Sequence, residues 1–87
     1  MITIIISTSD WIDLYNDWQN TLHSFSIGNA GEVQYESYDI DDGRIQFTNL
    51  VFTGSNINNN TIVTIKTSYN GLIERTTETT IGKLRGN

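Results

Sequence analysis

Residues 32–52 read Glu-Val-Gln-Tyr-Glu-Ser-Tyr-Asp-Ile-Asp-Asp-Gly-Arg-Ile-Gln-Phe-Thr-Asn-Leu-Val-Phe, and how their apolar side chains divide between two faces decides the fold. Asp42-Gly43 tolerates the positive φ angles of a tight hairpin turn and sits between two β-prone runs. Successive strand side chains alternate, so Val33, Tyr35, Leu50 and Phe52 fall on one face and Tyr38, Ile40, Ile45 and Phe47 on the other. A single helix covers one of these faces and leaves the second to be explained. A bulge within Gln46 to Leu50 would shift the alternation and turn both sets the same way. Alternatively, the strands bend so that each end packs differently. In the third reading, adopted here as the expectation, Tyr38, Ile40, Ile45 and Phe47 stay exposed. With Asp39, Asp41 and Arg44 at the rim they form a protein-binding surface, aromatic and aliphatic with a charged border.

Downstream, Asn70-Gly71 is the stronger hairpin signal. As a two-residue loop it pairs Tyr69 with Leu72, Thr67 with Glu74 and Ile65 with Thr76, and collects Val63, Ile65, Tyr69 and Leu72 on one face. The same register sets Lys66 opposite Arg75, a like-charge pair that favours a solvated face or an acidic partner. Gly54 to Asn60, between the hairpins, reads as a mobile polar connector, and Gly82 to Asn87 as a fraying tail.

Upstream, Ile2, Ile4, Ile5 and Ile6 form a β-branched run expected to be a buried strand. The period then changes. Trp11, Leu14, Tyr15, Trp18, Leu22 and Phe25 fall within an arc of about 100° on a helical wheel, which predicts a core-facing amphipathic helix over residues 9–25. Thr8, Ser9 or Asp10 would cap it, Asp10 and Asp13 would lie at the positive end of its dipole, and Gly28 and Gly31 would mark its exit. The expected architecture is one α+β domain over residues 1–87, ordered β-α-β-β-β-β. Its sheet has about five mostly antiparallel strands with the helix on one face. The connection through the helix is long enough for the first two strands to run parallel.

Composition narrows the function. Eighty-seven residues hold one small core, and without cysteine there is neither a disulfide nor a thiolate metal site. Ten acidic against five basic residues give a net charge of −5, which opposes attraction to nucleic acid or an anionic membrane. The opening apolar run is too short for a signal peptide, and no segment approaches about 20 apolar residues. A soluble cytoplasmic protein is expected, in the host cytoplasm if viral. Thirteen isoleucines and ten asparagines suggest an AT-rich coding sequence of the kind phages and mobile elements carry.

The motifs of catalysis are missing. His23 is the one histidine and falls at the border of the polar face of the wheel. Thr53-Gly54-Ser55-Asn56 lacks the second glycine of a nucleophile elbow. Asp39, Asp41 and Asp42 precede a glycine turn, where aspartate serves backbone geometry. With Gly43 at the sixth position of a calcium loop, Tyr38, Ile40 and Asn49 would stand where oxygen ligands belong. Gly28-Asn29-Ala30-Gly31 follows the expected helix instead of opening one, so it makes no phosphate cradle. The aromatic residues of the first hairpin lie among acids, unlike a nucleic-acid stacking platform.

No enzyme, cofactor or metal is therefore expected. The leading expectation is a protein-binding factor, a viral accessory protein that inhibits a host machine by occupying its surface. The alternative is a structural subunit of a virion or other assembly, with an exposed strand edge such as Glu74 to Ile81 adding to a neighbour's sheet and giving a homo-oligomer. An enzyme using carboxylates alone ranks third.

Overall fold

The structure is a computed structural model and describes residues 1–14, 22–28, 31–69 and 73–86. Its elements are β1 (Ile2–Thr8), β2 (Ile12–Asp13), β3 (Leu22–Gly28), β4 (Glu32–Gln34), β5 (Ser37–Asp41), β6 (Arg44–Gly54), β7 (Ile62–Tyr69), β8 (Ile73–Thr80) and the short helix α1 (Ile81–Leu84). They make two antiparallel sheets that share one apolar core, in place of the expected five-stranded sheet under a helix.

The eleven-residue strand β6 organises the first sheet. Along one side run β1 and then β2; along the other run β4 and then β5. The first strand is thus antiparallel to β6, and among the described residues it makes none of the parallel pairing that a helical crossover would have permitted. The second sheet has the order β3-β7-β8.

The helix expected over residues 9–25 is replaced at both ends by strand. Ile12 and Asp13 pair with Ile45 and Arg44, and Leu22 to Gly28 pair with β7; residues 15–21 lie outside the described residues. Among residues 11–25 only Leu14, Gln19 and Leu22 are strong helix formers, the rest being aromatic, β-branched or short polar types. The apolar spacing matched a helix, but apart from Leu14 and Leu22 the residues carrying it are aromatic and favour extended backbone. The expected caps serve other ends: Thr8 closes β1, and the buried Ser9 bonds to the neighbouring strand.

Both predicted hairpins form, one with a changed register. Asp42 (φ 50°) and Gly43 (φ 75°) connect Asp41 to its partner Arg44 as a two-residue turn. In the second, Tyr69 pairs with Ile73, Thr67 with Arg75 and Ile65 with Thr77, one residue beyond the expected register. That slip exchanges the faces of β8. Lys66 now lies across from Thr76, so the expected Lys66–Arg75 opposition does not arise. Thr77 and Thr79 instead stand beside the buried Ile65 and Val63.

The connector and the tail are also packed. Ile57 is buried, the Asn58 N–H donates to Thr61 Oγ1 and the Asn60 N–H donates to Asn58 Oδ1. In the tail, Ile81, Gly82 and Leu84 are buried. The Gly82 N–H donates to the Asn59 carbonyl, and the Leu84 carbonyl accepts from the Asp10 N–H. Thr80 caps α1 by accepting the Lys83 N–H at 3.2 Å. Ile81 and Leu84, five and two residues before the last described one, thus belong to the core, which is why this segment does not behave as a tail.

Candidate protein-binding surface

The two apolar faces of the first hairpin meet on one side of the sheet. Ile45, Phe47, Leu50 and Phe52 are all fully buried, although strict alternation would separate the first two from the last two. The shift occurs between Phe47 and Leu50, where Asn49 takes φ 51°. Flanking strands shift at the same level. On the β1 side Ile6 and Ser9 are both buried, and on the β4–β5 side the rings of Tyr35 and Tyr38 both reach Phe25. In each case the inward residues are three apart.

No residue is inserted at this level. Ile6↔Leu50 is followed by Thr8↔Thr48, and Gln34↔Val51 by Ser37↔Thr48, with both registers conserved. The sheet carries a step across three strands instead of a bulge in one. Side chains repair the pairing at the step: Asn49 Nδ2 donates to Glu36 Oε2 at 3.2 Å, and the Glu36 N–H donates to the Thr48 carbonyl at 3.0 Å. On the other side the Ser9 N–H donates to the Phe47 carbonyl, and Ser9 Oγ accepts the Phe47 N–H, both at 2.9 Å. Close approach adds one glycine requirement: a Cβ on Gly31 would overlap the Thr53 carbonyl oxygen.

The expected binding residues divide accordingly. Ile45 and Phe47 belong to the core and offer no surface. Ile40 is half-buried and packs against the core. Arg44 is half-buried, its side chain 40% exposed, and it is engaged within the chain, 4.0 Å from the Asp41 carboxylate and with its guanidinium carbon 4.6 Å from the centre of the Trp11 ring. Tyr38 is 45% exposed, and Asp39 and Asp41 are exposed.

Two contributors were not legible as such in the sequence. Tyr35, 39% exposed, joins Tyr38 with ring centres 6.1 Å apart. Phe25, assigned to the expected helix, arrives from β3 and meets the Tyr38 ring edge to face at 4.7 Å. The alternating stretch Ser24-Phe25-Ser26-Ile27 was the available signal for that strand. Phe47 lies against Tyr35 and Phe25, with ring centres 5.1 Å and 5.9 Å away. The tyrosines therefore stand on a packed aromatic base, which fixes them at little further entropic cost to a partner.

The charge here is one-sided. Glu32, Glu36, Asp39, Asp41 and Asp42 are five of the ten acids, all exposed, and no lysine or arginine lies between residues 32 and 42. Elsewhere an open cleft of about 420 Å³ lies among Asp10, Trp11, Asp13, Glu78 and Lys83. Among the described residues no group of three or more His, Cys, Asp or Glu is placed to hold a metal ion, and no helix is long and apolar enough to cross a membrane. Comparison with family models matches no family, and comparison with curated proteins and with solved structures matches none of either.

Proposed function

We propose that this chain is a non-enzymatic protein-binding factor whose β4–β5 edge docks on a basic protein surface and obstructs it. The observation that carries this reading is the pair Tyr35 and Tyr38, part-exposed against Phe25 and Phe47, on an edge whose residues 32–42 hold five exposed acids and no base. Amphipathic aromatic side chains supply contact area with little loss of freedom, and a one-sign rim steers an oppositely charged partner and orients it. A viral accessory protein that inhibits a host machine would need no more than such a surface.

The test is a comparison of partners captured from a host lysate by the wild-type chain and by the Tyr35→Ser/Tyr38→Ser variant, with folding of both checked by circular dichroism. The expected result is a protein with a basic face, captured by the wild type, lost by the variant, and released by salt. Equal capture by the two chains would overturn the proposal. A second reading, a subunit of a larger assembly, is favoured by the uncharged edge of β1, where another strand can add.

A further inference from the structure

We propose that the chain forms a two-fold symmetric dimer by antiparallel pairing of β1 with β1 of a second copy, centred on Ile5. The contact deepens the assembly reading. It lies on the edge of the sheet opposite Tyr35 and Tyr38, so either surface can be lost without the other.

Sheet edges invite pairing with other chains, and folded proteins blunt them with charge, bulges or cover. Among the described strands, three of the four sheet edges are blunted. The β4–β5 edge carries Glu32, Asp39 and Asp41; β8 carries Glu74, Arg75 and Glu78; β3 has an irregular register between Leu22 and Ser24. The fourth, β1, reads Ile-Thr-Ile-Ile-Ile-Ser-Thr, with no charge, no proline and no register break from Ile2 to Ile6. Among the described strands it pairs only with β6. Met1 and Ile2 are exposed, and Ile5 is 65% exposed. An open groove of about 380 Å³ lies beside it, lined by Ile5, Ile6, Ser7, Thr8 and Arg85. The Arg85 guanidinium is engaged with Asn59 Oδ1 at 2.9 Å.

The occupant follows from charge and pattern. A chain of net charge −5 repels its own copies over most of its surface, and β1 itself carries no charged side chain, so two copies can pair there without setting like charges across the strands. Ile4 and Ile6 face the core, whereas Thr3, Ile5 and Ser7 face outward. Antiparallel pairing about Ile5 sets Ile4 against Ile6 of the second copy, Thr3 against Ser7 and Ile5 against Ile5. Inward residues then meet inward ones, and outward residues meet outward ones. A shift by one residue would oppose the two faces, and a shift by two would leave part of the strand unpaired. Beyond Thr8 the edge is interrupted at Ser9 and gains Asp10 and Asp13, so pairing ends there. Because β1 is used up by its own copy, the assembly closes at two.

Sedimentation over a concentration series, from low micromolar upward, tests the pairing. The wild type is expected to approach twice the 9.8 kDa chain mass. Ile5→Lys sets two ammonium groups across the two-fold axis and should weaken the dimer at least about tenfold. Thr3→Lys, on the same exposed face, should act likewise, and circular dichroism verifies that both variants fold. In this cysteine-free chain, Ile5→Cys should link to its own copy through a short bis-maleimide, whereas Ser26→Cys on β3 should not. A monomer at every concentration, a dimer indifferent to Ile5→Lys, cross-linking through residue 26, or growth beyond two copies would overturn the proposal. Loss of partner capture with the dimer intact would strike the β4–β5 surface alone.

Discussion

Phe47 and Leu50 stand three residues apart on β6, and both are fully buried on the same face of the sheet. Strand geometry puts residues of odd separation on opposite faces, so something between them must reverse the alternation. Asn49 does so with its left-handed backbone, and the pairs Ile6/Ser9 and Tyr35/Tyr38 carry the same reversal into the neighbouring strands. This step gives the core its four large β6 side chains and leaves two tyrosines at its margin.

If the left-handed conformation at Asn49 holds the step, Asn49→Val should destabilise the fold by about 1–2 kcal/mol, since a Cβ-branched residue disfavours that region. Asn49→Gly should remain within about 0.5 kcal/mol, because glycine adopts the conformation freely and the exposed bond to Glu36 contributes little. Urea denaturation of the two variants separates these outcomes; equal losses would show that side-chain bonding, not backbone, sets the step.

Ser9 Oγ satisfies a backbone N–H that the interrupted edge would otherwise leave buried without an acceptor. Ser9→Ala should therefore cost about 1–3 kcal/mol. Amide hydrogen exchange at Phe47 should rise more than at its neighbours on β6. An unchanged Phe47 amide would mean that another acceptor replaces the hydroxyl.

Phe47 and Tyr38 are direct cross-strand partners with different duties. Phe47→Ala should cost about 3–5 kcal/mol, a large share of the 5–15 kcal/mol typical of a domain. Tyr38→Ser, at a ring nearly half in water, should cost about 1–2 kcal/mol. Thermal melts would show the first variant largely unfolded at 37 °C and the second folded. Comparable losses for the two would place Tyr38 in the core.

Asp39→Asn/Asp41→Asn should slow association with the partner captured through Tyr35 and Tyr38, and most at low salt, while leaving dissociation nearly unchanged. Association rates measured across ionic strength check this. A rate insensitive to both the substitutions and the salt would remove the charged rim from the account.

Much of the strand content was legible, because Ile2 to Ile6, Asp42-Gly43 and Asn70-Gly71 speak through local propensity and turn chemistry, although the first run is an edge strand with Ile2 and Ile5 exposed and not the buried strand expected. The helix was misread because Trp11, Leu14, Trp18, Leu22 and Phe25 satisfy a helical period while strand pairing with Ile45 and Ile65 decides the outcome. The alternation of Ser24 to Ile27 marks a strand locally but does not reveal its partner. The one-residue slip of β8 was hidden for a similar reason: threonines fit either face, so the core chooses among registers. Of the expected binding surface, the acids and Tyr38 were visible from alternation and charge. Tyr35 was not, because its direction depends on a step whose only sequence mark is an asparagine in the middle of a strand.

The step at Asn49 turns both apolar sets of the first hairpin inward and leaves Tyr35 and Tyr38 at the surface. Side-chain NMR of the wild-type chain with a soluble paramagnetic relaxation agent measures this directly. Ile45, Phe47, Leu50 and Phe52 should be protected together, while Tyr35 and Tyr38 lose signal. Attenuation of Ile45 and Phe47 to the level of Tyr38, with Leu50 and Phe52 still protected, would show that the alternation runs unbroken through Asn49 and would contradict the account.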